Sequence, residues 1–172
     1  TPVGEKYSNT IKVGDKQLVV NTKIENWKFV NRIAKVVQIP LAFSCNIKVG
    51  DKVVVHQNVF RTFYDMKGKK KKSRSFLKED LYLCTLDQIY MYNHDNTWNT
   101  INNRCFITPI ANKDSLTLNK EQGLVGILKY GNKSLEALNV NSGDLVGYKP
   151  NGEWEFLIEG EKDYKYFSIW RG

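Results

Sequence analysis

The stretch "NIKVGDKVVVHQNVF", Asn46 to Phe60, decides how the chain is read. Its Gly50-Asp51 pair marks a tight turn, because glycine accepts left-handed backbone and aspartate hydrogen-bonds its own chain. Val53, Val54 and Val55 follow, a β-branched run that predicts a strand. The segment "NVNSGDLVGYKPNGEWEF", Asn139 to Phe156, repeats that grammar. Asn46 falls on Asn139, Gly50 on Gly143, Asp51 on Asp144 and Val53 on Val146, all at an offset of 93. Farther on, Phe76 falls on Phe156, Leu77 on Leu157, Glu79 on Glu159 and Ile89 on Ile169, at an offset of 80. The difference is a 13-residue insertion in the first copy, and it holds the polybasic "MKGKKKKSRS", Met66 to Ser75. Surface loops absorb insertions most cheaply, so this block reads as a loop tip on a shared scaffold.

The repeat extends upstream. "RIAKVVQIP" (Arg32 to Pro40) resembles "GLVGILKYG" (Gly123 to Gly131), and "KQLVVNT" and "NRCFITPI" take equivalent places as opening strands. Short apolar runs every 8 to 12 residues, with Gly, Asn and Pro between them, predict an all-β chain of two small barrels or sandwiches. The expected organisation is a first unit over 1–92, a linker over 93–103 in the Asn- and Thr-rich "YNHDNTWNTINN", and a second unit over 104–172. Helix is expected only in "SLEAL" (Ser134 to Leu138) and "TLDQI" (Thr85 to Ile89), where Ser and Asp serve as caps or turn formers.

Composition narrows the class. With 41% apolar and 26% charged residues among 172, the chain can build a core, and no apolar run approaches a bilayer-spanning length. The start "TPVGEKYSNT" has no basic or apolar leader segment, so a mature soluble chain is expected. Cys45, Cys84 and Cys105 are odd in number and unpaired in spacing, which suits a reducing cytoplasm. Only His56 and His94 are present, and no CxxC or HExxH spacing occurs. The expectation is therefore no metal, no cofactor and no enzyme activity. "GILKYGNKS" (Gly126 to Ser134) nearly spells a phosphate-binding loop, but one extra residue precedes Lys133 and no adequate helix follows.

The formal net charge of +8 and pI near 9.3 raise a nucleic-acid partner. Against it stands the distribution: Lys67, Lys69, Lys70, Lys71, Lys72 and Arg74 form one block with no aromatic residue inside it to stack bases. The block reads first as a solvated loop, then as a patch for an acidic partner or polyphosphate, and last as a localisation signal.

With this order of elements in view, the chain resembles the GroES family of co-chaperonins in a tandem, double-domain form. The matching segments are "RIAKVVQIP", "IKVGDKVVV" and "FLKEDLYLCTLDQIYMY" in the first copy. In the second they are "CFITPI", "GLVGILKYG", "VNSGDLVGYKP" and "FLIEGEKDYKYFSIW". The resemblance implies two partly open β-barrels that close into a homo-oligomeric ring when an end strand of one unit covers the edge of the next. It implies a lid on a GroEL-type chaperonin, with neither membrane nor cofactor involved. Trp154, Tyr166 and Trp170 would be barrel or interface aromatics.

The family docks through a loop with a hydrophobic tip, and many weak loops on one ring bind through avidity. The resemblance places that loop over 111–122 in the second copy, where Ser115, Leu116, Thr117 and Leu118 would form the tip, although the same residues read as an ordinary hairpin whose leucines fold back onto the barrel. In the first copy it falls over 21–31, with Ile24, Trp27 and Phe29, whose density of apolar residues reads better as a continuing strand than as a mobile loop. The family's Gly-Gly followed by an aliphatic tip is absent from both. Cationic hairpins gathered around a ring axis would repel, so the polybasic hairpin is expected to splay outward or to meet an acidic partner. Two other readings stand beside the lid: an assembly or adaptor protein, a viral one included, that reuses the scaffold, and a basic β-barrel that binds nucleic acid.

Overall fold

The computed structural model describes residues 1–7, 10–19, 30–42, 44–111, 121–150, 155–156 and 166–169. It divides into two compact units, Thr1–Ile89 and Tyr90–Gly172. Both are built from antiparallel strands in open sheets, so the chain is all-β.

Unit 1 begins with a hairpin of β1 (Thr10–Val13) and β2 (Lys16–Val19), reversed at Gly14, whose φ is +60°. β3 (Ile33–Lys35) pairs with β4 (Lys52–Val55), placing Lys35 opposite Lys52 and Ile33 opposite Val54. β4 buries Val53, Val54 and Val55 in succession beside Ile33, Ala34, Ile47, Val59 and Phe60. Such a run of buried valines is what a strand covered on both faces requires. β5 (Thr62–Tyr64) pairs with β6 (Lys70–Lys72), and β7 (Phe76–Lys78) with β8 (Leu81–Tyr82). The helix expected near Thr85 is a single 3₁₀ turn, Leu86–Gln88, in which the Gln88 side chain accepts from the Thr85 amide.

Unit 2 opens with β9 (Ile89–His94), most of which lies in this unit, paired to β10 (Thr97–Thr100) across Asp95 and Asn96. Both turn residues have positive φ, 49° and 62°, so much of the stretch expected as a linker is a tight hairpin. A five-stranded sheet follows in the order β13 (Leu145–Gly147), β12 (Glu121–Tyr130), β11 (Cys105–Ala111), β15 (Tyr166–Ile169), β14 (Glu155–Phe156). Among the described residues no ladder joins β13 to β14. Ile107 and Leu128 are buried in its core, with Leu135, Val140, Val146 and Tyr148 packed against them. The expected short helix is α1 (Lys133–Glu136), capped by the Asn132 side chain, which accepts from the Leu135 amide at 3.0 Å.

The two Gly-Asp turns share one hydrogen-bond pattern. Gly50 and Gly143 have φ of +97° and +100°, a region that favours glycine. Asp51 accepts from the Lys48 amide at 2.8 Å, and Asp144 from the Asn141 amide at 2.7 Å. The Gly50 amide donates to the Val36 carbonyl as the Gly143 amide donates to that of Leu128. Strand registers agree as well: Ala34 faces Val53 where Gly126 faces Val146.

That register differs from the expected correspondence in two places. The β3 and β12 segments correspond one residue later than "RIAKVVQIP" over "GLVGILKYG" supposes. In unit 1 the segment lying against β3 is Thr1-Pro2, while the described part of "KQLVVNT" pairs with β1. Pro2 bridges Ala34 as Pro109 pairs with Gly126, and Thr1 exchanges two backbone bonds with Lys35, while Thr108 pairs with Ile127. "KQLVVNT" contributes β2 to a separate hairpin, because its apolar alternation is served equally well by a local partner.

Candidate functional site

The strongest concentration of chemistry lies in "RTFYDMKGKKKKSRS", Arg61 to Ser75. Its reversal is encoded by Asp65 and Gly68. The Gly68 amide donates to the Asp65 carbonyl at 2.8 Å, and Gly68 has φ +73°. The Asp65 carboxylate accepts from the amides of Lys67 (3.0 Å) and Lys69 (2.8 Å), and the Asp65 amide closes the loop onto Lys69. A turn followed by a left-handed glycine is the common three-residue hairpin connection.

This turn sets a register that the sequence block conceals. Phe63 stands opposite Lys71, and Tyr64 opposite Lys70. Directly opposed residues of an antiparallel pair share a face, so each face carries one aromatic ring beside a lysine. Phe63 is 39% exposed and Tyr64 44%. Lys71 lies 3.8 Å from the Asp65 carboxylate, and Lys72 places its ammonium 3.6 Å from the Phe76 ring centroid. Half of the supposed loop tip is therefore strand: Lys70–Lys72 belong to β6, while Lys67 and Lys69 sit in the turn and Arg74 just past it.

The hairpin is fixed at its root. Tyr7 accepts the Thr62 amide at 2.7 Å and its hydroxyl lies 2.8 Å from that of Thr62; Ser73 donates to the Val59 carbonyl at 2.6 Å. Beside this root runs an open groove of about 640 Å³, walled by Asn58, Arg61, Phe63, Tyr64, Ser73 and Arg74. No carboxylate lines it. Arg61 Nε is buried with no hydrogen-bond partner among the described residues, and the same holds for Gln57 Oε1. Two guanidinium groups, hydroxyl and amide donors and two rings suit a planar, anionic ligand.

A second cavity of unit 1, about 570 Å³, is mostly apolar and includes Val36, Ile39, Ile47, Leu77, Leu83 and Cys84 in its wall. Cys84 is exposed as a residue, yet its thiol lies on this wall, 3.6 Å from the Thr85 carbonyl. Burial first, and then the Asp87 carboxylate, pushes the Cys84 thiol up to about 12. Nearby on the surface, Lys6 and Asp80 meet at 2.7 Å. That hydrogen-bonded pair lowers the Asp80 carboxyl and raises the Lys6 ammonium.

The candidate docking residues Ile24, Trp27 and Phe29, and Ser115, Leu116, Thr117 and Leu118, lie outside the described residues. Asp51 and Asp144 occupy the turn positions expected of them. Sequence reasoning missed Arg61, Phe63 and Tyr64, although "DMKG", with Asp and Gly three apart, is a turn signal that aligns them with the lysines. Among the described residues, no three His, Cys, Asp or Glu side chains group as a metal site, and no helix is long and apolar enough to cross a membrane. No known protein family, curated protein or solved structure matches the chain.

Proposed function

We propose that the chain is a non-enzymatic, ring-forming co-chaperonin of two GroES-like, partly open β-barrel units, a lid that docks on a GroEL-type chaperonin to assist protein folding. The observation that carries this reading is the shared register. In each half, a Thr-Pro segment lies against a strand that pairs onward with the strand following a Gly-Asp turn, and both turns bear the same hydrogen bonds. Such agreement supports a duplicated unit, and the ordered set of elements in that unit is the basis of the resemblance. Open sheets leave strand edges that a neighbouring unit in a ring would cover. Joining two units in one chain raises their effective concentration for ring closure. Docking would fall to the Leu116 and Leu118 tip, each loop weak and the ring strong by avidity.

Native mass spectrometry of the protein, alone and with a GroEL-type chaperonin plus ADP, tests the reading. The expected result is a closed ring that adds to the chaperonin only with nucleotide and loses that addition when Leu116 and Leu118 become serine. A defined assembly that ignores the chaperonin in every nucleotide state would refute the lid and leave an assembly protein on the same scaffold.

A further inference from the structure

We propose that the β5–β6 hairpin of unit 1 is a binding surface for single-stranded nucleic acid, built by setting Phe63 and Tyr64 across the ladder from Lys71 and Lys70. This does not depend on the lid reading; it rests on the hairpin alone.

Segment 61–75 carries seven cationic residues against one carboxylate, Asp65, within a chain whose formal net charge is +8. Asp65 is largely committed to the turn, where it accepts two backbone amides. The lysines at 67, 69, 70, 71 and 72 are all exposed. Cations at this density attract a phosphate backbone of any kind, because binding releases its counterions. Charge alone would leave the ligand undefined.

The rings define it. A base has a π-face that stacks on an exposed aromatic side chain regardless of its identity, which is how sequence-tolerant single-strand binders work. Here each face of the hairpin offers one ring, about two-fifths exposed, with a lysine opposite it. Both residues also line the root groove, together with Arg61 and Arg74. Their guanidinium groups are charge-assisted donors of the kind that bind a phosphate oxygen. A duplex hides its base faces, inorganic polyphosphate has none, and an acidic peptide offers carboxylates with nothing to stack. Of the polyanions, only an unpaired strand uses both halves of this surface.

The test is fluorescence anisotropy of the full chain with a labelled 15-mer oligo(dT), competed by the matching duplex, by inorganic polyphosphate and by a poly-glutamate peptide. Oligo(dT) is expected to bind best and to weaken about 50-fold between 50 and 200 mM salt, as neutralisation of about four phosphates requires. Replacing Phe63 and Tyr64 by leucine keeps apolar bulk and removes the π-faces; affinity is expected to fall about tenfold for each ring. K70E/K71E should abolish binding, whereas K133E, on α1 in the other unit, should leave it unchanged. Absence of binding at 50 mM salt would overturn the proposal. So would polyphosphate competing equally with binding indifferent to the leucine changes, or poly-glutamate competing best, which would mark an acidic-protein surface. Should a variant fail to fold by circular dichroism, the wild-type order of competitors decides alone.

Discussion

Asp51 and Asp144 stand in the same relationship to their own chains. Each carboxylate takes the backbone amide three residues upstream, at 2.8 and 2.7 Å, and each amide donates back to that residue's carbonyl, at 3.2 and 3.1 Å. They differ in burial: Asp51 is 7% exposed, whereas Asp144 is open to solvent. Alanine at 51 leaves a donor beside a buried site and is expected to cost about 2 kcal/mol; at 144, where water can replace the acceptor, about 0.5 kcal/mol. Urea denaturation of the two single variants would show the asymmetry, and equal losses would contradict it.

Gly126 meets the opening strand too closely for a side chain. A Cβ there would lie 2.9 Å from Ile107 Cδ1 and 2.9 Å from the Thr108 carbonyl oxygen, and the second is backbone that cannot rotate away. Gly126→Ala is expected to destabilise by about 1 to 3 kcal/mol, the range of overpacking. Ala34, which holds the same register in unit 1, already accepts a Cβ. A thermal melt that left Gly126→Ala unchanged would show the two strand pairs to be spaced alike.

Tyr7 holds the hairpin root through the buried Thr62. Tyr7→Phe removes the acceptor and is expected to cost about 1 to 3 kcal/mol, as for a buried donor left unpaired. Hydrogen exchange should locate the loss: the amides of β5 and β6 exchange faster, while those of β12 keep their protection.

The Lys6 contact favours the ionised form of Asp80, so its contribution to stability is full above the ordinary carboxyl value of 3.8 and is lost as pH falls through the lowered one. Solvent screens this exposed pair, which keeps the effect small. An NMR titration should place the Asp80 midpoint below 3.8 and move it upward in Lys6→Met.

The Cys84 thiol is held protonated, so its contribution is full below the ordinary value of 9.0 and declines as pH rises toward about 12. At pH 9 its thiolate fraction is about a thousandth against about a half for a free thiol, so alkylation by iodoacetamide should run about five-hundredfold slower than that of free cysteine. A rate equal to that of free cysteine would place the sulfur in water.

Several elements were legible in the sequence because their signals are local. The Gly50-Asp51 and Gly143-Asp144 turns, the valine strand after the first, and the two short helical segments near Thr85 and Ser134 all follow from side chains acting on their own backbone. The opening strand of unit 1 was not legible, since β-patterning in "KQLVVNT" says that a strand forms and not which partner it takes. The β9–β10 hairpin, which takes up residues 93–100 of the expected linker, was hidden for the opposite reason. Asn and Asp are read as loop, and only left-handed φ at Asp95 and Asn96 makes them a two-residue reversal between strands.

By itself the sequence determined an all-β chain with two Gly-Asp turns in corresponding places and a concentrated basic block, because turn chemistry and charge are properties of neighbouring residues. Tertiary structure decided which strands pair, and through pairing which side chains share a face. Phe63 and Tyr64 lie eight and six residues before Lys71 and Lys70, the lysines they oppose, yet a linear reading leaves them outside the basic block. The Asp65 turn folds the strand back, and the side-chain period of two places an aromatic residue opposite a lysine on both faces.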